Sequence, residues 1–253
     1  MLRSRLIPVL LLRDGGLVKT TKFANDRYVG DPINAVRIFN EKEVDELMVI
    51  DLDATVNSSA PDYEMIDNLA RECRMPLSYG GGVSTADQAQ RIMELGVEKV
   101  ALSSHAVARP ETVAEIAAQV GSQSVSVVLD VKKRSFGGYR VWTHNGTRDS
   151  KKDPVSLASA MENAGAGEII VNSIDRDGTI TGYDLDLCKR LRDSISVPLT
   201  ILGGAGTLNH FHEAAELLGT IGLAAGSFFV FKGQYRAVLI SYPNNEERKF
   251  LQS

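Results

Sequence analysis

The chain has 253 residues, 28 Lys plus Arg against 32 Asp plus Glu, a formal charge of −4 and 43% hydrophobic residues. This is the balance of an ordinary water-facing globular protein, and the length suits a single α/β barrel domain spanning 1–253. It excludes the basic stripe of a nucleic-acid binder, and no apolar run approaches the ~20 residues of a membrane span, so neither nucleic acid nor membrane is an expected partner.

The chain opens with "MLRSRLIPVLLLRDGG", a short apolar run with no small-residue cleavage site after it, which reads as a strand and not a signal peptide. Further short runs rich in β-branched residues follow: "ELMVIDL", "MPLSYGG", "KVALSS", "SVSVVLDV", "GEIIVNSI", "VPLTILGG" and "TIGLAAGS". Segments with helical spacing lie between them. "DPINAVRIFNEKEV" (31–44) places Asp31 as a cap before Pro32, and "TADQAQRIMELG" (85–96) puts Ala86, Ala89, Ile92 and Met93 on one side and stops at Gly96. The two cysteines, Cys73 and Cys188, are far apart with no metal-type spacing and read as reduced, buried thiols of a cytoplasmic protein. No metal and no cofactor are expected.

Eight strand signals in strict alternation with helices predict a parallel sheet, and strands apolar on both faces predict its burial. Eight units in this length predict closure into an α/β (β/α)8 TIM barrel. The rival open, doubly wound sheet would carry G-x-G-x-x-G after its first strand, which "LLLRDGGLVKT" lacks. Residues 76–107 also resemble residues 198–230, so the barrel is expected to be two half-barrels related by an internal repeat. That offset sets Leu11 against Asp130. Two segments break the rhythm: a long loop at 14–32, and 132–154, which holds two β-like runs and an Asn145-Gly146 turn and reads as a small hairpin. Tyr139 and Trp142 are expected to pack that hairpin.

Glycine-rich turns end four strands: "GGG" (80–82) and "SS" (103–104) on one half, "GGAG" (203–206) and "AAGS" (224–227) on the other. Such turns expose backbone N–H groups to anions, and two matching cradles predict a ligand with a phosphate at each end. Asp51, Asp130, Asp175 and Asp177 fall at strand ends, where a carboxylate would point into the barrel mouth for proton transfer or binding. Asp130 is the strongest candidate and Asp51 a supporting group. The four histidines show no metal or triad pattern; His210 and His212 are two apart on a helix and diverge. Arg5, Glu46, Lys99 and Glu168 lie at strand beginnings and would converge as a salt-bridged ring at the opposite mouth, as a stabilising plug or as a gate.

With these residues in place the chain resembles the cyclase subunit of imidazole glycerol phosphate synthase, a histidine-biosynthesis enzyme. The resemblance spans nearly the whole sequence through "LVKTTKF", "VGDP", "VIDLDA", "YGGGV", "GSQSV", "AGAGEI", "SIDRDGT" with "GYD", and "GGAG". It implies a barrel that binds a bisphosphate across its top and receives ammonia from a glutaminase docked at its bottom. It implies an ammonia gate of Arg5, Glu46, Lys99 and Glu168, a mobile-loop lysine at Lys19, and phosphate contacts from Gly82, Ser103, Ser104, Asp177, Gly178, Gly204, Gly226 and Ser227. Asp130 matches one of two catalytic aspartates; the other is replaced by Leu11. Ser103 also replaces an asparagine, and Leu202 a serine. A leucine can neither give nor take a proton, and losing one member of an acid/base pair costs about 10²–10⁴-fold in rate.

Three readings follow. In the first, the chain keeps ammonia intake, gives up cyclase chemistry, and passes ammonia to a third, amide-transferring enzyme that amidates a surface-polysaccharide sugar. In the second it is a working cyclase that converts the bisphosphate and ammonia to imidazole glycerol phosphate and an aminoimidazole carboxamide ribotide. In the third it is another barrel enzyme acting on a bisphosphate or nucleotide sugar.

Overall fold

The apolar runs become the staves of a closed barrel. The computed structural model describes residues 3–252. Its barrel strands are β1 (Arg5–Arg13), β2 (Leu47–Asp51), β3 (Leu77–Gly80), β4 (Lys99–Leu102), β5 (Val125–Lys133), β6 (Glu168–Ser173), β7 (Leu199–Leu202) and β8 (Gly222–Ala225). Each pairs in parallel with its successor, and β8 returns to β1 through Arg5 opposite Gly222 and Ile7 opposite Ala224. Closure leaves no free edge in the ring of staves.

Helices cap as the sequence indicates. Asp31 accepts from Asn34 N at 2.8 Å ahead of helix Pro32–Glu41, and Thr85 with Gln88 forms a capping box on Ala86–Glu94. The half-barrel repeat reappears in three dimensions. β1 and β5 are both nine residues long, and each bends at its C-terminal end into an antiparallel extension. The segment expected as a loop at 14–32 is therefore a hairpin, Gly16–Thr21 paired with Ala24–Gly30. Asp14 and Gly15, both at positive φ, make the turn that lets β1 fold back on itself. After β5, Tyr139–Thr143 pairs with Arg148–Asp149 around Asn145-Gly146, as the sequence predicts. Tyr139 does more than pack its hairpin: its hydroxyl donates to Asp184 at 3.0 Å. Cys188 is buried, but Cys73 is only half-buried, and both are free.

The eighth unit departs from the pattern. After β8 come one helical turn, Ser227–Val230, a short hairpin of Phe231–Lys232 with Ala237–Val238, and an extended tail. The tail is strapped beneath the barrel. The Tyr242 hydroxyl donates to Leu6 O at 2.9 Å, and Arg248 pairs with Asp45 at 3.1 Å. No described helix is long and apolar enough to cross a membrane.

Strand periodicity sorts the core into two. Leu6, Leu10, Leu47, Val49, Val127, Leu129, Ile169 and Val171 face outward under the helices. Ile7, Val9, Met48, Ala101, Val128, Ile170 and Ala224 face inward and form their own apolar column, with Leu11, Ile50 and Leu202 packed against it. Below the column the four charges named from the sequence form one closed circuit. Arg5 bridges Glu46 and, at 2.8 Å, Glu168; Lys99 bridges Glu46 at 3.2 Å and Glu168 at 2.8 Å. Ser78, Ser126 and Thr200 supply hydroxyls to the carboxylates at 3.0, 3.3 and 2.6 Å.

Burial alone would raise the Glu168 carboxyl, but Lys99 and Arg5 more than reverse this and hold it below its ordinary range. Its contribution to stability is therefore full at neutral pH and is lost as pH falls through that depressed value. Removing Glu168 leaves two partly buried cations, Arg5 and Lys99, sharing the single carboxylate of Glu46. Glu168→Ala is expected to lower stability by roughly 3–5 kcal/mol at pH 7 in urea unfolding. Arg109→Ala, which breaks the exposed pair with Glu111, should leave the urea midpoint nearly unchanged.

Candidate functional site

At the C-terminal ends of the strands the column opens into a pocket of about 480 Å³, a volume typical of small-ligand sites. Its wall is divided by chemistry. Leu11, Met48, Ile50, Val128 and Leu202 make an apolar floor, while Ser103, Asp130 and Asn172 form a polar wall across β4, β5 and β6. Leu11 on β1 and Asp130 on β5 occupy equivalent places in the two halves. Each precedes an antiparallel extension, opposite Val18 and Trp142 respectively, and each pairs in parallel with the next stave, opposite Ile50 and Asn172.

Asp130 accepts from Asn172 Nδ2 at 3.0 Å. Burial pushes its carboxyl up to about 7 against the pull of that hydrogen bond, and the charge of Asp177 pushes the same way. It is poised for proton exchange near neutrality. At the matching place Leu11 presents only carbon; the other carboxylates in the pocket wall are Asp51 and Asp177.

The glycine-rich turns expected to act as cradles lie on two sides of the pocket, with different makings. On one side Gly81, Gly82, Ser103 and Ser104 line the pocket. Gly81 is at φ +126°, where a Cβ would lie 2.6 Å from the Asp51 carbonyl, so no side chain is tolerated there. Ser104 Oγ accepts from His144 N at 3.0 Å and fixes the hairpin of β5 to this rim. On the other side Gly226 and Ser227 line the pocket with Lys19 and Asp177. Lys19 is buried; its ammonium donates to the Val9 carbonyl, and burial lowers it to about 8 against the attraction of Asp177. Asp177 is raised by burial, opposed by hydrogen bonds from Thr20 Oγ1 at 2.6 Å and Phe23 N at 3.1 Å.

Gly178 and Gly204 stand behind the wall and do not line it. Gly178 packs against Thr20, and Gly204 against the Gly182 carbonyl, where a Cβ would lie only 2.1 Å away. Asp175 also differs from expectation: it points away from the mouth and accepts from Lys133 N at 2.7 Å. Asp51 is a supporting group, capping helix Leu52–Val56 through Asp53 N at 2.8 Å and Ala54 N at 3.2 Å. Arg5, Glu46, Lys99 and Glu168 lie at the far mouth, outside this pocket.

The structure adds residues that the sequence reading passed over. His105, His144, Asn145 and Asn172 line the pocket. Asn172 shares strand parity with Glu168 and Ile170, a period-two signal that marks it as inward-facing. His105 directly follows the Ser103-Ser104 turn. His144 and Asn145 needed the fold: their hairpin reaches across to the start of helix Leu52–Val56, where Asn145 Nδ2 donates to Leu52 O at 2.8 Å, and meets Phe23 of the first hairpin at Gly146. Among the described residues no group of three or more His, Cys, Asp or Glu could hold a metal ion.

With this geometry in view, comparisons with known proteins can be weighed. A family model described as histidine biosynthesis protein matches residues 5–236. A chain from Leptospira interrogans is 52% identical over 252 residues, covering 99% of both chains. One from Vibrio vulnificus is 51% identical over 250 residues, covering 98% of this chain and 96% of its own. One from Pseudomonas aeruginosa is 50% identical over 244 residues, covering 96% and 97%. All three bear provisional names as imidazole glycerol phosphate synthase subunits, HisF, hisF3 and hisF2 respectively. A barrel with this pocket, matched over this length, belongs to the histidine biosynthesis protein family and is HisF-like throughout.

Proposed function

We propose that this chain is the synthase-side subunit of a cytoplasmic glutamine amidotransferase complex and works as a conduit. A glutaminase subunit docks at the lower mouth. Ammonia passes the ring of Arg5, Glu46, Lys99 and Glu168, travels along the apolar column, and emerges in the upper pocket. From there it is delivered to a third enzyme that amidates a surface-polysaccharide sugar. The observation that carries this reading is the contrast between the two mouths. The lower one keeps all four charges in a closed circuit. The upper one carries Leu11 where the family resemblance implies an acid, and packs it with Ile50 and Leu202 against the inner column.

An apolar column between a charged mouth and a pocket suits a small uncharged molecule. Neutral ammonia sheds its water more cheaply than ammonium, and the ring can hold the proton back at the entrance.

A second reading, an active cyclase of histidine biosynthesis, is favoured by one observation: Asp130 is retained and raised to about 7, a range suited to proton transfer. Ammonium-driven turnover of the family's bisphosphate separates the two. On the conduit reading the isolated protein shows negligible turnover, and Leu11→Asp restores part of the roughly 10²–10⁴-fold that a missing acid costs. Steady turnover by the unaltered protein would sink the conduit and establish the cyclase.

The ring has its own test in the assembled complex. Lys99→Met should depress glutamine-driven amidation while leaving amidation driven by added ammonium salt intact, because only the first route passes the ring. Equal loss by both routes would show that the ring serves stability alone.

A further inference from the structure

The exposed apolar side chains of this protein are not scattered. Among the described residues every exposed Phe or Tyr stands on a hairpin that leaves the top of a barrel strand: Tyr28 after β1, Phe136 after β5 and Tyr235 after β8. Phe136 is 99% exposed and Tyr235 86%. Val56 and Ile180 are exposed in the segments after β2 and β6, and Val238 and Leu239 continue the hairpin after β8. On the outer helices only Leu217 is exposed in this way among the described residues. Scattered singly, such residues are ordinary. Gathered around one mouth, with aromatics among them, they match what protein interfaces are enriched in.

Charge is sorted in the same direction. Residues 132–152, the hairpin after β5, hold seven Lys and Arg against one Asp in a chain whose net charge is −4. None of the seven forms an ion pair among the described residues. Arg140 and Lys152 donate to the carbonyls of Lys151 and Val107, Arg148 approaches His144 Nε2 at 3.2 Å, and Lys132 rests on the Trp142 ring, 5.1 Å from its centre. The side chains of Lys133, Arg134 and Lys151 have no polar partner among the described residues. The acids beside them are engaged elsewhere. Asp149 accepts from Lys151 N and Asp175 from Lys133 N, each at 2.7 Å; Asp184 accepts from the Tyr139 hydroxyl, and Asp186 pairs with Arg190. Lys132 also lies directly opposite Arg140 across the hairpin, a like-charge pairing that costs the free chain stability. On the outer helices, by contrast, Arg37 pairs with Glu72 and Arg71 with Asp67.

We propose that the upper rim is a docking face for the acidic surface of a protein, the enzyme that accepts the ammonia. Phe136 and Tyr235 are its apolar anchors, and Lys133, Arg134 and Lys151 its steering charges. The identity of that partner rests on the conduit reading. Its place follows from the arms themselves, which ring the outlet. His144 and Asn145, at the base of the charged hairpin, line the pocket, and Arg236 fastens the hairpin of Tyr235 to Ser227 at 3.2 Å. A partner seated on these arms closes the pocket to solvent. A second copy set mouth to mouth would bring cations against cations. A nucleic acid or an anionic membrane would meet a chain that is acidic overall.

The test uses the assembled complex. Affinity of the full chain for the amide-transferring enzyme is measured by calorimetry at low and high salt, and glutamine-driven amidation is followed beside glutamine hydrolysis. Lys133→Gln combined with Arg134→Gln should weaken association roughly tenfold at low salt and flatten its salt dependence. Phe136→Ser should weaken it by a similar factor at either salt. Both variants should keep the thermal midpoint, the rate of glutamine hydrolysis and amidation driven by added ammonium salt, while glutamine-driven amidation falls. Arg37→Gln combined with Arg71→Gln should change none of these. Unaltered affinity in both rim variants, or equal weakening by the outer-helix variant, overturns the docking face and leaves the conduit standing. No association between the unaltered chain and the amide-transferring enzyme overturns both. Self-association, or tighter binding of an oligothymidylate or of phosphatidylserine vesicles than of the enzyme, lost in the same rim variants, assigns the face to another partner and overturns the proposal.

Discussion

Glu46 and Glu168 are almost wholly out of water, and each is bridged by both Arg5 and Lys99. An isolated carboxylate at that depth would be forced to take up a proton. The four charges in a circuit, with three hydroxyls donating to the carboxylates, offset that cost, and Lys99 and Arg5 hold Glu168 below its ordinary range. The rest of the barrel is arranged around this fact. β1, β2, β4 and β6 must begin at the same level for the circuit to close, which fixes their stagger. That stagger in turn decides which residues reach the floor of the pocket at the other end.

The C-terminal tail reinforces the same place. Asp45, next to Glu46, accepts from Leu6 N at 3.0 Å, from Arg3 at 2.9 Å and from Arg248 at 3.1 Å. Tyr242 links Leu6 O and Asp45 N through its hydroxyl. A chain that lacks a full eighth helix thus secures the open flank of β1 and β2 with a strap. The hairpin ahead of the strap brings Arg236 to the upper rim. The departure at the eighth unit therefore touches both mouths of the barrel.

The upper pocket shows how two half-barrels can diverge while sharing a fold. The backbone at Leu11 and at Asp130 does the same thing: it pairs forward with the next stave and folds back into a hairpin. Only the side chain differs, and it changes what the pocket can do. One half offers a carboxylate near neutrality and the other a hydrocarbon surface. Leu11 extends the inner apolar column by one residue, where Asp130 sets a carboxylate in the other half.

Local pattern in the sequence was enough for the staves, the caps, the repeat and the four ring charges. Strand alternation and capping are properties of a few neighbouring residues, and a charge of inward parity at or beside a strand's first position lies at the bottom mouth. The same pattern was ambiguous where glycine-rich turns looked equivalent. Gly204 and Gly82 both sit in such turns, yet one is covered by the Gly182 backbone and the other lines the pocket. The hairpin at 16–30, the reach of His144 and Asn145 across the mouth, the outward turn of Asp175 and the seat of Arg236 on Ser227 were decided by tertiary structure alone. Asp175 and Asn145 reach partners 42 and 93 positions away, while the hairpin at 16–30 and the Arg236–Ser227 bond are close in sequence and take their places from the segments they pack on. No local preference encodes that choice, because the free energy that selects it arises only when the barrel has closed.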